Sequence, residues 1–367
     1  MSSGDRVLVV TGPGEVELRT EPPRPPLPEG AFDVRTLYSG LSAGTDLSFF
    51  KGSHPQLHTR WDSETGLFHR DGANSAAFPV LRWGYMQTGL IAASRAPGFE
   101  AGTVVAMTYG HRGGHRADPL AERAVPVPPD LDPVLGIYIA HMGPICANGL
   151  LHAAADVHGG DVRSLADGVL GRRVAVTGAG VVGLLTALFA RRHGAAEVVL
   201  VETTARRREV AEALGFTTFD PGACDPAAEL KARWRHRPGD RGADVVFQCR
   251  GQAESLATAL RLLRPQGTVV DLAFYQSGAD AVRLGEEFHH NGLALRCAQI
   301  GRVPRGLGHL WDRERLSAET IDLLRAEGQG IRDQVVTDLV PVEKAPELLS
   351  DLAERRRHVL QAVFTFD

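Results

Sequence analysis

Residues 174–185 run from an apolar strand through Gly178, Ala179, Gly180 and on into Val181, Val182 and Gly183, with no linker between strand and helix. Few folds tolerate that sequence. Gly178 permits a tight turn, Gly180 lets the backbone approach a pyrophosphate, and Gly183 lets the helix lie close on the strand, so that free N–H groups and the helix dipole face the phosphates. A second apolar strand, 198–201, ends in Glu202, which follows Gly183 by 19 residues. That is the spacing expected of the acid that binds an adenosine ribose. A sterically required turn in some other α/β fold would leave the position of Glu202 unexplained.

Length and charge narrow the remainder. The 367 residues exceed one ordinary core and suit two domains, which a hydrophobic fraction of 43% can fill. A net charge of −4 provides no basic face for nucleic acid or an anionic membrane, so the expected partner is a small molecule. The four cysteines, Cys146, Cys224, Cys249 and Cys297, form no short metal-binding or redox pair and read as reduced thiols of a cytoplasmic protein. The first five residues carry no targeting pattern, and no apolar run reaches membrane-spanning length.

Residues 6–127 are short β-rich segments broken by Gly and Pro, which predicts an irregular β domain. A polar, aromatic and histidine-rich insertion spans 49–78. A helical pattern over 135–155 leads into the glycine run. Helices at 205–214 and 254–263 and strands at 243–249 and 267–274 then alternate, predicting a doubly wound parallel sheet. A strand at 293–300, helices at 318–328 and 342–357, and a strand at 358–366 close the chain.

This order of parts resembles the medium-chain dehydrogenase/reductase superfamily, which includes alcohol, sorbitol and threonine dehydrogenases. Residues 174–185, residues 260–270, and Ser39-Gly40 with Gly44-Thr45-Asp46 and Lys51-Gly52 carry the resemblance. It implies a GroES-like β-rich catalytic domain over 1–146, a Rossmann domain over 147–299 and a return to the first domain over 300–367. Zinc-dependent members place a cysteine just before the Thr-Asp pair, where this chain has Ser42, Ala43 and Gly44. Their Gly-His-Glu motif is Gly84-Tyr85-Met86 here, their later cysteine aligns with Pro144, and the four-cysteine structural loop is replaced by residues 109–115. A catalytic zinc needs three N, S or O ligands from the protein. The expectation is therefore no zinc, and residues 42–46, 288–291 and 299–306 resemble the zinc-free branch that includes bacteriochlorophyllide dehydrogenase-like proteins.

The resemblance implies an oxidoreductase of a secondary alcohol or ketone and does not identify the substrate; Glu202 favours NAD over NADP, and the polar insertion favours a polar, sugar- or cyclitol-like metabolite. Without zinc, side chains must handle the substrate proton and the developing oxyanion. Tyr85 stands at a metal-ligand position, Thr45 matches the proton-relay hydroxyl of relatives, and His141 lies in a region expected near the cleft. Lys51 and His115 are weaker candidates. The cofactor is assigned to Gly178, Ala179, Gly180, Val181, Val182, Gly183, Glu202, Arg207, Cys249, Ala273 and Gln299, although Arg206, Arg207 and Arg208 could turn to a 2′-phosphate. His54, His58 and Asp62 would share one face of a helix, but Pro55 and the polar surroundings favour a solvated loop. The strand over 293–300 lies where relatives pair across a two-fold axis, which predicts a homodimer. The competing readings are a reductase of an activated double bond and a non-catalytic dinucleotide-binding protein.

Overall fold

The computed structural model describes residues 4–276 and 278–366. The first three residues, read above for a targeting pattern, lie outside that range. Contacts divide the chain into one unit of 1–141 with 336–367 and another of 142–335.

The first unit opens with an antiparallel pair, β1 (Arg6–Gly12) and β2 (Glu15–Thr20). Next come β3 (Phe32–Gly40), α1 (Asp46–Phe50) and a small hairpin of β4 (Arg60–Asp62) and β5 (Leu67–His69). Four more strands follow: β6 (Gln87–Ser94), β7 (Val104–Met107), β8 (Gly114–Ala117) and β9 (Val125–Pro126). The insertion is ordered: His54 caps a single 3-10 turn over Pro55–Leu57, and His58 closes it. His54, His58 and Asp62 therefore do not share a helix face. Proline at the first position of the turn and the extended β4 that follows prevent a continuous helix.

In the second unit α2 (Met142–His158) leads to β10 (Arg173–Thr177), α3 (Val181–Arg192), β11 (Glu197–Val201), α4 (Ala205–Ala213) and β12 (Thr217–Phe219). The helical pattern expected from residue 135 is a 3-10 turn, Pro133–Tyr138, and α2 starts separately at Met142. After α5 (Pro226–Arg233) and the short pair β13 (Arg235–Arg237) and β14 (Asp240–Arg241), the alternation resumes. Its members are β15 (Ala243–Gln248), α6 (Ala253–Leu262), β16 (Leu263–Asp271) and β17 (Ala294–Cys297). The six strands lie in the order β12-β11-β10-β15-β16-β17, all parallel. The central strands are buried on both faces, so they read as continuous valine-rich runs rather than alternating ones. Val199, Val246, Leu260 and Val269 belong to one core cluster of this unit.

This unit continues through α7 (Arg313–Gly330), whose Thr320 closes against Gly143 of α2. The return to the first unit is therefore 336–367 rather than all of 300–367. It comprises β18 (Val336–Pro341), α8 (Ala345–Ala353) and β19 (Gln361–Thr365). They complete a seven-stranded sheet in the order β18-β19-β3-β6-β7-β9, with β8 also paired to β3. Leu8, Phe50, Trp83, Leu348 and Phe364 share a core cluster, so the two stretches of chain in this unit are packed as one body. Among the described residues no helix is long and apolar enough to cross a membrane.

Candidate functional site

Two sets of polar side chains stand out, one in each unit. In the second, β10 ends at Thr177 and the chain turns at Gly178, whose φ of 95° lies in the region that favours glycine. A Cβ on Gly183 would fall 1.8 Å from the Gly178 carbonyl oxygen, so the close packing of helix on turn permits no side chain there. Gly180 precedes α3 and no side chain caps the helix, which leaves first-turn N–H groups of Val181 and Val182 for an anion. A Cβ at Gly180 would meet nothing within 4 Å.

Glu202 follows β11 with its carboxylate wholly buried. It accepts the Ala179 N–H at 2.9 Å and the Thr204 N–H at 2.8 Å, and Arg250 and Arg207 lie 3.7 and 3.9 Å away. Burial works to raise its pKa. The two backbone donors and the two guanidiniums outweigh burial and hold the group below its usual range, so it remains an acceptor at neutral pH. Beside it lies a cavity of about 330 Å³ whose lining includes Thr177, Val201, Thr203, Arg250 and Ser255. The remaining predicted cofactor residues follow the neighbouring strands. Cys249 succeeds β15 with its thiol pushed up by burial, and the Ala273 N–H is bonded to Asp271. Gln299 folds back to accept the Gly301 N–H at 2.6 Å.

Sequence reasoning missed Arg250, Thr203 and Gln248. Arg250 donates to the Thr203 hydroxyl at 2.6 Å, and the fully buried Gln248 amide donates to the Arg250 carbonyl at 2.6 Å. Their place at or just past strand ends, where α/β sheets bind ligands, was the available signal.

In the first unit, Gly84 at φ 86° lies against His111 and sets up the turn that carries Tyr85. The Tyr85 hydroxyl is 2.6 Å from Ser42 Oγ, and its ring meets the His141 ring edge-on with centroids 4.7 Å apart. Thr45 is half-buried at the start of α1, in the turn that also carries Ser42. Behind them the Ser42 N–H donates to Asp46 Oδ2 at 2.7 Å, and that oxygen is 3.4 Å from His111 Nε2. His111 Nδ1 in turn lies 2.7 Å from Ser39 Oγ, in a fully enclosed polar chain. Tyr85 and His141 thus meet, and Ser42 joins them. Sequence reasoning noted Ser42 in the stretch where a ligand was lost and in the pattern of the zinc-free branch, but not as a partner of Tyr85.

The weaker candidates are placed elsewhere. His115 faces Glu122 at 2.9 Å, its pKa lowered by burial despite that carboxylate, and Lys51 is exposed at the end of α1. His54 stacks on Phe49 at 3.8 Å and accepts the Gln56 N–H, its pKa pushed down by burial to about 4. Among the described residues no group of three His, Cys, Asp or Glu is arranged to hold a metal ion.

A family model described as zinc-binding dehydrogenase matches residues 181–304. A protein of Mycobacterium tuberculosis described as a probable zinc-binding alcohol dehydrogenase is 32% identical over 279 residues, covering 72% of this chain and 67% of that protein. The chain belongs to the medium-chain dehydrogenase/reductase superfamily. Within it, D-guloside 3-dehydrogenase of Shigella flexneri is 28% identical over 204 residues, so the match spans about half the length of that relative (55%) and of this chain. A solved structure from Sinorhizobium meliloti, described as a zinc-binding dehydrogenase and bound to NADP, superposes with a TM-score of 0.74 at 20% identity, over 99% of this chain and 100% of that one. That likeness is one of fold, a GroES-like domain with a Rossmann domain. The segment matched by the family model contains none of positions 43, 85 and 144, so its description does not bear on zinc ligands.

Proposed function

We propose that this protein is a zinc-independent, NAD(H)-dependent oxidoreductase that interconverts a secondary alcohol and a ketone on a sugar- or cyclitol-like metabolite. The observation that carries the reading is the Tyr85–Ser42 hydroxyl pair, 2.6 Å apart, at a position where zinc-dependent members hold a metal ligand. Ala43 and Pro144 offer no ligand atoms in their side chains. That donor set does not fit zinc, and no step is routed through one.

When bound, the nicotinamide supplies or receives the hydride. The second unit's part is to bind: N–H groups at the start of α3 take the pyrophosphate, and Glu202 accepts hydrogen bonds from the adenosine ribose. The same carboxylate disfavours a 2′-phosphate, hence the preference for NAD(H). The first unit handles the proton. During reduction Tyr85 would give its hydroxyl proton to the substrate oxygen as the hydride reaches the carbon and regain one from water through Ser42; during oxidation the proton would leave the substrate hydroxyl by the reverse route, to Tyr85 as phenolate, whose own proton has first passed through Ser42 to water. His141 packs the ring in place, and Thr45 presents the relay hydroxyl of relatives.

A relative named D-guloside 3-dehydrogenase supports a hydroxylated substrate. So does the β4–β5 hairpin, where exposed Trp61 and Phe68 meet at a tilt of 52° with ring centroids 4.8 Å apart, beside Arg60, Asp62 and His69, aromatic rings next to hydrogen-bonding groups. The exposed edge strand β17, with Leu295 at 44% exposure, supports a homodimer. Unpaired thiols at all four cysteines support a cytoplasmic setting.

The test is titration with NADH, followed by turnover of a panel of polyols, glycosides and their ketones after dialysis against a chelator. Oxidation of a secondary alcohol with NAD is expected. Failure to bind the dinucleotide overturns the reading. Turnover of conjugated enones alone would make the protein a double-bond reductase, and binding with no turnover at all would make it a sensor.

A further inference from the structure

We propose that Arg250, rather than the arginine triplet 206–208, decides how well this protein accepts a dinucleotide bearing a 2′-phosphate. The inference rests on the dinucleotide reading of the second unit. Two members of the triplet are committed elsewhere. Arg206 pairs with Glu209 at 2.9 Å on the surface, and Arg208 is held by the Glu202 and Thr203 carbonyls and by Asp220 at 2.9 Å. Arg207 remains, 3.9 Å from Glu202 and directed to one of its two oxygens.

Arg250 approaches the other oxygen from a different strand, at 3.7 Å. Its backbone is fixed by Gln248, and its Cβ lies 3.0 Å from where a Cβ of Gly178 would be, so the residue is anchored directly against the glycine turn. Arg250 is among the residues lining the 330 Å³ cavity, and its guanidinium is bonded to the hydroxyl of Thr203, the residue immediately after the acid. The buried carboxylate is thus flanked by one guanidinium on each side and is covered from solvent.

This arrangement treats the two cofactors differently. A ribose 2′-hydroxyl can donate to Glu202 once a flanking guanidinium swings aside. A 2′-phosphate is repelled by Glu202 but meets two guanidiniums, and Arg250 can exchange a neutral hydroxyl partner for a dianion by rotating its side chain away from Thr203. NADP(H) therefore binds more weakly than NAD(H) but is not excluded, and Arg250 sets the size of the gap.

Titration of the full chain with NADH and NADPH tests this through the ratio of the two affinities. Wild type should bind both, NADH more tightly. Arg250→Gln retains an amide for Thr203 but loses the charge, and should lower the NADPH-to-NADH affinity ratio by about tenfold or more. Arg250→Lys should recover most of that loss, and Arg207→Gln should produce a smaller one. Retained NADH binding by each variant shows that it is folded. A ratio unchanged in Arg250→Gln, the full loss appearing in Arg207→Gln instead, or no NADPH binding by wild type would each overturn the assignment. If wild type binds neither dinucleotide, the functional reading itself fails.

Discussion

Replacing Tyr85 by phenylalanine removes one oxygen and leaves the ring that packs against His141 at 4.7 Å. The hydrogen bond to Ser42 that the substitution removes has a net worth of about 0.5–1.5 kcal/mol. For a domain of this size that amounts to a fall in Tm of roughly 1–6 °C. The chemical cost is of a different order. Loss of general acid–base help is typically worth ~10²- to 10⁴-fold in rate, on the order of 3 to 5 kcal/mol of barrier. The two effects therefore separate cleanly. The assay follows nicotinamide absorbance with the best alcohol of the panel, alongside a thermal melt and an NADH titration. Tyr85→Phe should bind NADH as wild type does, melt a few degrees lower and lose roughly two orders of magnitude in turnover. Ser42→Ala should lose about tenfold, since water can replace a relay hydroxyl more readily than it replaces the donor itself. Turnover by Tyr85→Phe within about threefold of wild type would refute the assignment, reduce Tyr85 to a packing residue and shift the chemistry to Thr45 with His141.

Elemental analysis after mild dialysis should find no stoichiometric zinc, and about one ion per chain would refute the metal-free reading. Glu202→Ala should weaken NADH binding and narrow the gap to NADPH; equal or tighter NADPH binding by wild type would overturn the preference for NAD(H). Light scattering at micromolar concentration should show at least a dimer, and Leu295→Asp on β17 should shift it towards monomer. Folding stability should fall as pH drops below 6.5 towards 4, because burial lowers the pKa of both His54 and His152 to about 4 and the unfolded chain takes up the proton first. Stability from these two groups is complete above 6.5, and each contributes a slope of up to about 1.4 kcal/mol per pH unit in that window, so thermal melts that do not change across it would refute the assignment.

The parts legible in sequence were those set by local chemistry. The glycine turn, the valine-rich parallel strands and Glu202 each follow from residues within a short window, and the structure places them as the pattern requires. The helix α5 was missed although Asp225 and Pro226 are an ordinary N-cap and first-turn pair, because no long apolar period accompanies them. The extent of the return was misplaced at 300 because the periodicity of α7 marks a helix with one buried face but not the partner that covers it. Side-chain partnerships were the least legible. Ser42 meets Tyr85 across 43 residues and Arg250 meets Thr203 across 47, and neither pairing leaves a trace in spacing or composition.

The position of β19 has a consequence for how the chain is made. This strand lies between β18 and β3, parallel to one and antiparallel to the other, and pairs Val363 with Gly40. The second unit is one continuous stretch, so all of its strands are present before β18 and β19 are made. The first unit is built from two stretches that the whole second unit separates, so the Tyr38–Gly40 end of β3, beyond the part paired with β8, keeps an open edge until β19 is made. The turn carrying Ser42 and Thr45 begins directly after that edge, so a strand made only after the entire second unit is also the one that seats the proposed proton-handling loop.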